Sequence, residues 1–135
     1  MFAGCAKVVG MLIDTDVLIW FLRGRRSARV AIAECPSVEL SAVTYMELAQ
    51  GVRDKEELRM LRQTIRLNEW RVLPVTEDIS YRATMYVENY SLSDGVRLAD
   101  ALIAASAVQA GLVLLTANSR HYRCIPDLAL EQYRP

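Results

Sequence analysis

The feature that most constrains this chain is a short apolar run that ends in a carboxylate, Asp14, with a second acid two residues later. Residues 8–13 are predominantly apolar without alternation, which predicts a strand that is buried on both faces. Residues 17–22 then resume as a helix, so residues 14–16 form a strand-to-helix turn. In open α/β sheets ligands bind at such turns. A helix cap at Asp14 or Thr15 is the structural alternative, and this stretch alone leaves both open.

The composition is that of a globular protein rather than a disordered one. The chain has 135 residues, of which 53% are hydrophobic and 24% charged. We therefore expect residues 1–135 to form one domain, with residues 1–10 in part an N-terminal extension if Met11 is the true start. The formal net charge is zero. Any attraction for nucleic acid must then come from local patches of charge.

The cysteines and the hydropathy indicate a cytoplasmic protein that does not contact a membrane. Cys5, Cys35 and Cys124 are widely spaced and odd in number, which fits neither a metal motif nor a disulfide framework. Such usage suits a reducing compartment. No apolar run approaches the roughly 18 residues of a membrane helix, and the N-terminus lacks the pattern of a secretory signal.

Strands alternate with helices along the whole chain, which predicts a three-layer α/β/α sandwich over a mostly parallel sheet. The capping-box pattern Thr44–Glu47 is predicted to start one helix. Ser91–Gly95 is predicted to be a loop. The remaining predictions are helices over 16–22, 28–34, 54–68, 77–90 and 96–110, and strands near 38–42, 71–75, 112–115 and 129–131.

Three acids stand in apolar stretches of sequence: Asp14, Glu47 and Asp100. A lone buried carboxylate is costly unless it is paired or bound to a metal. Glu47 has a structural alternative as the partner of Thr44 in the capping box. Asp100 has one as a first-turn residue if its helix begins near Arg97, although within a helix Asp competes for local backbone groups.

The three acids would repel one another if the fold brought them together. At about 4 Å and an effective dielectric constant near 20, each pair costs about 4 kcal/mol. A divalent cation removes that cost, and all-oxygen ligands favour Mg²⁺ or Mn²⁺ over Zn²⁺. Such a cation can activate water and neutralise charge that develops on a phosphate. The turn at 116–118 also follows a buried strand, so it flanks the same crevice as Asp14 if the two strands are neighbours at the topological switch point.

Taken together, four stretches resemble a known family. They are residues 13–18, Glu47 on an early helix, residues 99–107, and residues 115–122 with Ile125-Pro126 following. In this order and spacing they are similar to PIN-domain ribonucleases of the VapC toxin type, over roughly residues 11–126. The resemblance implies a five-stranded sheet of order 3-2-1-4-5, RNA cleavage that depends on Mg²⁺ or Mn²⁺, homodimerisation, and a cognate antitoxin.

The resemblance also assigns roles to residues. It makes Asp14, Glu47 and Asp100 the metal ligands and catalytic residues. The family often has another acid where this chain has His121, so we predict one well-held metal, with any second metal bound weakly or only together with substrate. His121 is either a surface residue, a phosphate contact when protonated, or a ligand of a second metal when neutral. The residues in supporting roles are Thr15, Asp16, Thr116, Asn118 and His121.

Two further groups of residues concern partners. Arg23, Arg25 and Arg26 could follow an RNA backbone, with a solvated surface loop as the alternative. Trp20 and Phe21 are candidates for an apolar groove that receives an antitoxin segment, with core packing as the alternative.

Two other functions compete with a ribonuclease. A PIN fold that only binds RNA or protein is one, but a pure binder has no use for the repulsion among three acids. A phosphatase of the haloacid-dehalogenase type is suggested by the pair Asp14 and Asp16. Val17 stands where that family expects a small polar residue, and Lys55 is the only later lysine. The sequence therefore favours the metal-dependent nuclease.

Overall fold

The computed structural model describes residues 9–135, and its centre is a five-stranded sheet in which every pairing is parallel. The strand order is β3-β2-β1-β4-β5. This confirms the predicted fold class and the strand order that the resemblance implies. Val8, which was predicted to belong to the first strand, lies outside the described residues. The strands are β1 Met11–Ile13, β2 Val38–Ser41, β3 Arg71–Leu73, β4 Val113–Thr116 and β5 Leu130–Gln132.

Helices cover both faces of the sheet, as a parallel sheet requires. In the described part of the chain, none of them has the length and hydropathy needed to cross a membrane. A short 3₁₀ turn, Ser119–His121, follows β4. The α-helices are α1 Thr15–Leu22, α2 Arg26–Ala33, α3 Ala42–Gln50, α4 Lys55–Leu67, α5 Glu77–Asp94 and α6 Leu98–Ala110.

The central strands β1 and β4 send alternate side chains into two separate cores. Leu12 and Leu114 pack with buried residues of α5 and α6 on one face. Ile13 and Leu115 pack with buried residues of α1–α4 on the other. All four are essentially inaccessible to solvent. The uninterrupted apolar run before Asp14 therefore reflects a strand that is buried on both faces.

The strand order places a topological switch point between β1 and β4. The chain leaves β1 toward β2 and β3, and then crosses the sheet to β4 and β5. The turns that follow β1 and β4 consequently diverge from a shared crevice at the carboxyl edge of the sheet, which is where open α/β sheets bind ligands.

Two predicted boundaries at α5 and α6 are wrong. α5 continues through the predicted loop to Asp94, because nothing before Gly95 breaks the helix. Gly95 ends it with a left-handed φ of 71°, a conformation that glycine adopts without strain. α6 begins at Leu98 rather than at Val96. The later start matters because it moves Asp100 into the first turn.

The predicted start of α3 is also wrong. The helix begins at Ala42, with Ser41 as its N-cap, and the Ser41 hydroxyl accepts a hydrogen bond from the backbone N–H of Val43 at 3.0 Å. β2 leads directly into this cap, so Ser41 is both the last strand residue and the first capping group. Thr44 therefore lies within the helix and does not form a capping box.

Candidate metal centre

Asp14 follows β1 directly and lies at the centre of the site. Only 5% of its surface is exposed. Its Oδ1 accepts a hydrogen bond of 2.8 Å from the backbone N–H of Thr15 and so caps α1. Its Oδ2 accepts hydrogen bonds from the hydroxyls of Thr116, at 2.8 Å, and Tyr122, at 3.0 Å. The capping alternative is therefore correct for one oxygen, while the other carries the long-range contacts of the site.

The turn after β4 meets the turn after β1 through polar side chains. The Thr116 hydroxyl donates to Asp14 and accepts from the backbone N–H of Asn118 at 3.0 Å. Asp16 Oδ2 accepts from the side-chain amide of Asn118 at 2.9 Å and from the backbone N–H of Ala117 at 3.2 Å. Asp16 thus fastens the second turn to the first, which fits its predicted supporting role.

Asp100 reaches the same place from α6. It lies in the first turn of the helix, where an acid interacts favourably with the helix dipole, and it is half-buried. Its Oδ1 lies 3.4 Å from the hydroxyl of Tyr122, the same hydroxyl that donates to Asp14. The alternative of a first-turn position is thus correct in placement, although Arg97 is the N-cap residue.

Glu47 lies on the solvent side of the site and is exposed, contrary to the apolar surroundings that its sequence neighbours predict. Its Oε1 accepts a hydrogen bond of 2.7 Å from the Thr15 hydroxyl. The Thr15 hydroxyl is also 3.1 Å from the hydroxyl of Thr44, which is buried inside α3. Glu47 is therefore connected to the Asp14 turn by the side chain of Thr15, and it does not complete a capping box.

Tyr122 is the residue at this site that sequence reasoning missed. It follows the 3₁₀ turn, and only 1% of its surface is exposed. The signal was its position next to His121 in a stretch already singled out. An aromatic residue after a turn is ordinarily assigned to the core, however, and its hydroxyl can be placed only once the path of the loop is known. His121 itself is exposed.

The arginines and aromatic side chains predicted to serve partners lie beside α1. The guanidinium groups of Arg25 and Arg23 stand 5.0 Å and 5.8 Å from the centre of the Trp20 ring, within the range of cation–π attraction. Phe21 packs edge-on against Trp70 at 5.1 Å and belongs to the margin of the core. Arg26 is exposed at the start of α2. The structure therefore groups Arg23 and Arg25 on one ring and leaves Arg26 apart from it.

Burial dominates the electrostatics of the site. It raises the pKa of Asp14 to about 6, and the charge of Asp16 adds to this, while hydrogen bonds from Thr116, Thr15 and Tyr122 oppose it. Burial likewise raises the pKa of Asp16. Burial, followed by the charge of Asp14, raises the pKa of Tyr122. Tyr122 therefore remains a protonated donor at neutral pH.

The donor set fits a small, hard cation. Within residues 9–135, no three side chains of His, Cys, Asp or Glu converge closely enough to hold an ion, so the three predicted acids do not form a closed cage. Mg²⁺ does not need one, because it is commonly bound by one or two carboxylates and keeps several waters. Asp14 and Asp100 share one hydroxyl, and the buried Oδ1 of Asp16 has no hydrogen-bond partner. A cation held by Asp14 and Asp100 would offset the repulsion between their charges.

A parallel sheet of order 3-2-1-4-5 with carboxylates gathered where β1 ends defines a class of α/β proteins with an acidic site at the switch point. The chain belongs to the PIN domain family, whose model matches residues 11–124.

Similar proteins include two from Mycobacterium tuberculosis. Ribonuclease VapC19 is 36% identical over 122 residues, which cover 87% of this chain and 95% of VapC19. Ribonuclease VapC10 is 35% identical over 133 residues, which cover 93% of this chain and 98% of VapC10. A chain of a toxin–antitoxin complex from Klebsiella pneumoniae superposes with a TM-score of 0.75 at 28% identity, covering 93% of this chain and 98% of that one.

The raised pKa of Asp14 predicts how the stability of the metal-free protein depends on pH. The folded protein binds a proton at Asp14 below about pH 6, whereas the unfolded chain binds it only below about pH 3.8. The contribution of Asp14 to the free energy of unfolding therefore falls as pH rises from 4 to 6, by about 3 kcal/mol in total. Asp14→Asn removes this dependence. Urea unfolding in EDTA at pH 4 and pH 7.5 measures the difference between the two proteins.

Glu88→Gln is the matched control, since Glu88 is an exposed acid on α5. We expect this variant to keep the pH dependence of the wild type. If Asp14→Asn and the wild type lose the same free energy between the two pH values, Asp14 is not a desolvated carboxyl in the folded protein.

Proposed function

We propose that this protein is a divalent-metal-dependent endoribonuclease that acts as the toxin of a toxin–antitoxin pair, with residues 1–135 as one catalytic domain. The observation that carries the proposal is the buried Asp14 carboxylate, which one tyrosine hydroxyl bridges to Asp100 at the switch point of the sheet. The names of the two mycobacterial relatives, both ribonucleases, support the reaction. The toxin–antitoxin complex from Klebsiella pneumoniae supports the biological role.

Asp14 and Asp100 are the residues that would hold the cation, with Glu47 as a third acid on the solvent side. A divalent cation would lower the pKa of a bound water molecule and would neutralise the charge that develops on the scissile phosphate. The all-oxygen donors favour Mg²⁺ or Mn²⁺. Only Asp14 and Asp100 share the Tyr122 hydroxyl, so we propose a single well-held metal. The presence of His121 where the family often has another acid leads to the same expectation.

The remaining residues orient the acids. The Thr116 hydroxyl accepts from Asn118 and therefore points its own proton at Asp14. The Thr15 hydroxyl restrains Glu47. We propose that the exposed Glu47 carboxylate accepts a proton from the water that attacks the phosphodiester. Asp16 keeps the two turns together. His121 is exposed, and we propose that it contacts substrate phosphate when it is protonated.

Several parts of the proposal concern partners. RNA is the substrate, a cognate antitoxin neutralises the protein, and a second copy forms a homodimer. The cysteine usage supports a cytoplasmic location. Trp20, which remains half-buried on α1, is available to an antitoxin segment. Phe21 contributes mainly to the core through Trp70.

Substitution of Asp14 tests the proposed reaction. Asp14→Ala should reduce Mg²⁺-dependent cleavage of labelled single-stranded and hairpin RNAs by more than about a hundredfold. The reason is that removal of a metal ligand costs more than the loss of an outer partner, which already costs about ten- to a hundredfold. EDTA should abolish cleavage by the wild type, and Mg²⁺ or Mn²⁺ should restore it. Denaturing gels measure the cleavage.

Asp78→Asn is the control for this experiment, because Asp78 is an exposed acid on α5. It should cleave as the wild type does. Cleavage that persists in EDTA, or in Asp14→Ala at the wild-type rate, would contradict the proposal. RNA binding without any cleavage would instead indicate a PIN-fold binding module.

The arginines beside Trp20 generate a prediction about salt. Each contact to a phosphate of single-stranded RNA contributes about 0.7 to the slope of log K against log salt concentration. Arg23→Ala and Arg25→Ala should therefore each weaken RNA binding and flatten that slope by about 0.7. Fluorescence anisotropy in EDTA, which prevents cleavage, measures both quantities. Arg66 is an exposed cation on α4, and Arg66→Gln should leave the slope unchanged. Equal slopes in all variants would show that Arg23 and Arg25 do not contact the RNA.

A further inference from the structure

Tyr122 is a buried residue whose position the proposed roles of the three acids do not explain. Its ring lies in the core formed with α5 and α6, together with Leu12 and Leu114 of the central strands. Its backbone is held as well, since its N–H donates to the carbonyl of Ser119 at 2.9 Å and its carbonyl accepts from the N–H of Ile125 at 3.1 Å. The packing of the ring and these two backbone hydrogen bonds therefore fix the position of the hydroxyl at the site.

That hydroxyl stands between two carboxylates that come from different elements. It is 3.0 Å from Asp14 Oδ2 and 3.4 Å from Asp100 Oδ1. A phenol has one proton to donate, and an ionised carboxylate can only accept. Tyr122 can therefore hold both carboxylates only by sharing this one proton between them in a three-centre hydrogen bond, with the shorter arm to Asp14 and the longer arm to Asp100. A phenylalanine would fill the same space and supply no bridge.

We infer that Tyr122 is a positioning residue, whose hydroxyl holds Asp14 and Asp100 at the separation that a small divalent cation requires. The inference rests on the proposed function, because it takes these two acids as the metal ligands. It concerns a group that acts through the ligands and does not itself touch the metal or the RNA. Outer partners of this kind orient ligands before the ion arrives, and their loss weakens metal binding.

The chain offers a closely matched control in Tyr86. This tyrosine is also buried, with 3% of its surface exposed, and its hydroxyl donates to a carboxylate, that of Asp127, at the same distance of 3.0 Å. The Asp127 carboxylate accepts from Arg82, which also donates to Gln109 near the end of α6, whereas Asp100 lies at its start. The two tyrosines therefore agree in the burial of the side chain and in bond length, and they differ in the carboxylate they hold, which is buried for Asp14 and exposed for Asp127.

Titration of Mg²⁺ into the metal-free, full-length protein without RNA tests the inference. By calorimetry, Tyr122→Phe should raise the Kd for Mg²⁺ by about ten- to a hundredfold, whereas Tyr86→Phe should stay within about twofold of the wild type. Titration of Mn²⁺, monitored by electron paramagnetic resonance, should rank the metal affinities of the three proteins in the same order. Tyr122→Phe loses a buried hydrogen bond and Tyr86→Phe a partly buried one, so the larger fall in melting temperature is expected for Tyr122→Phe. Circular dichroism establishes that each is folded.

RNA cleavage adds a rescue test. If Tyr122 acts through metal binding, a concentration of Mg²⁺ raised in proportion to the Kd restores cleavage by Tyr122→Phe, but the same concentration does not restore Asp14→Ala. Wild-type affinity in Tyr122→Phe, tighter binding, or an equal loss in Tyr86→Phe overturns the positioning role while the proposed function stands. A wild type that binds no Mg²⁺ overturns both.

Discussion

The structure of the site depends on the burial of one carboxylate, that of Asp14, where the central strand ends. A charge in that position is unfavourable, and three donors offset the cost only in part, since the pKa remains raised to about 6. Each donor comes from a different piece of the chain: Thr15 from α1, Thr116 from β4, and Tyr122 from the loop after the 3₁₀ turn. The three donors therefore surround the carboxylate only when the switch point has assembled, and they leave part of its desolvation cost uncompensated.

The edge strand β5, which carries none of the acids of the site, supports the same arrangement. The side-chain amide of Gln132 donates to the carbonyl of Ala117 at 2.7 Å, and the backbone N–H of Tyr133 donates to the carbonyl of Thr116 at 2.8 Å. These bonds fix the turn that presents Thr116 to Asp14. Exposure increases from buried Asp14 through half-buried Asp100 to exposed Glu47, so Glu47 marks the solvent side of the site.

Much of this could be predicted from the sequence because strand ends obey simple geometry. One strand buried on both faces ends at Asp14, and another ends at Thr116. Because parallel strands end at the same edge of a sheet, these polar side chains must lie at one edge. The choice between neighbouring residues that can start a helix could not be predicted. Ser41 rather than Thr44 caps α3, and α6 begins two residues after its predicted start. Contacts that depend on the path of a loop, such as those of Tyr122, leave no periodic signal. Nor does sequence context report exposure for Glu47, whose apolar neighbours lie on other faces of the helix.

The central claim is that a divalent cation binds at the carboxyl end of β1. The most direct test is the anomalous scattering of crystals of the wild-type protein soaked in Mn²⁺. We expect one strong anomalous peak in coordination contact with the carboxylates of Asp14 and Asp100, and no such peak in crystals of Asp14→Ala. Peaks confined to exposed surface acids, or two fully occupied peaks without RNA, would contradict it.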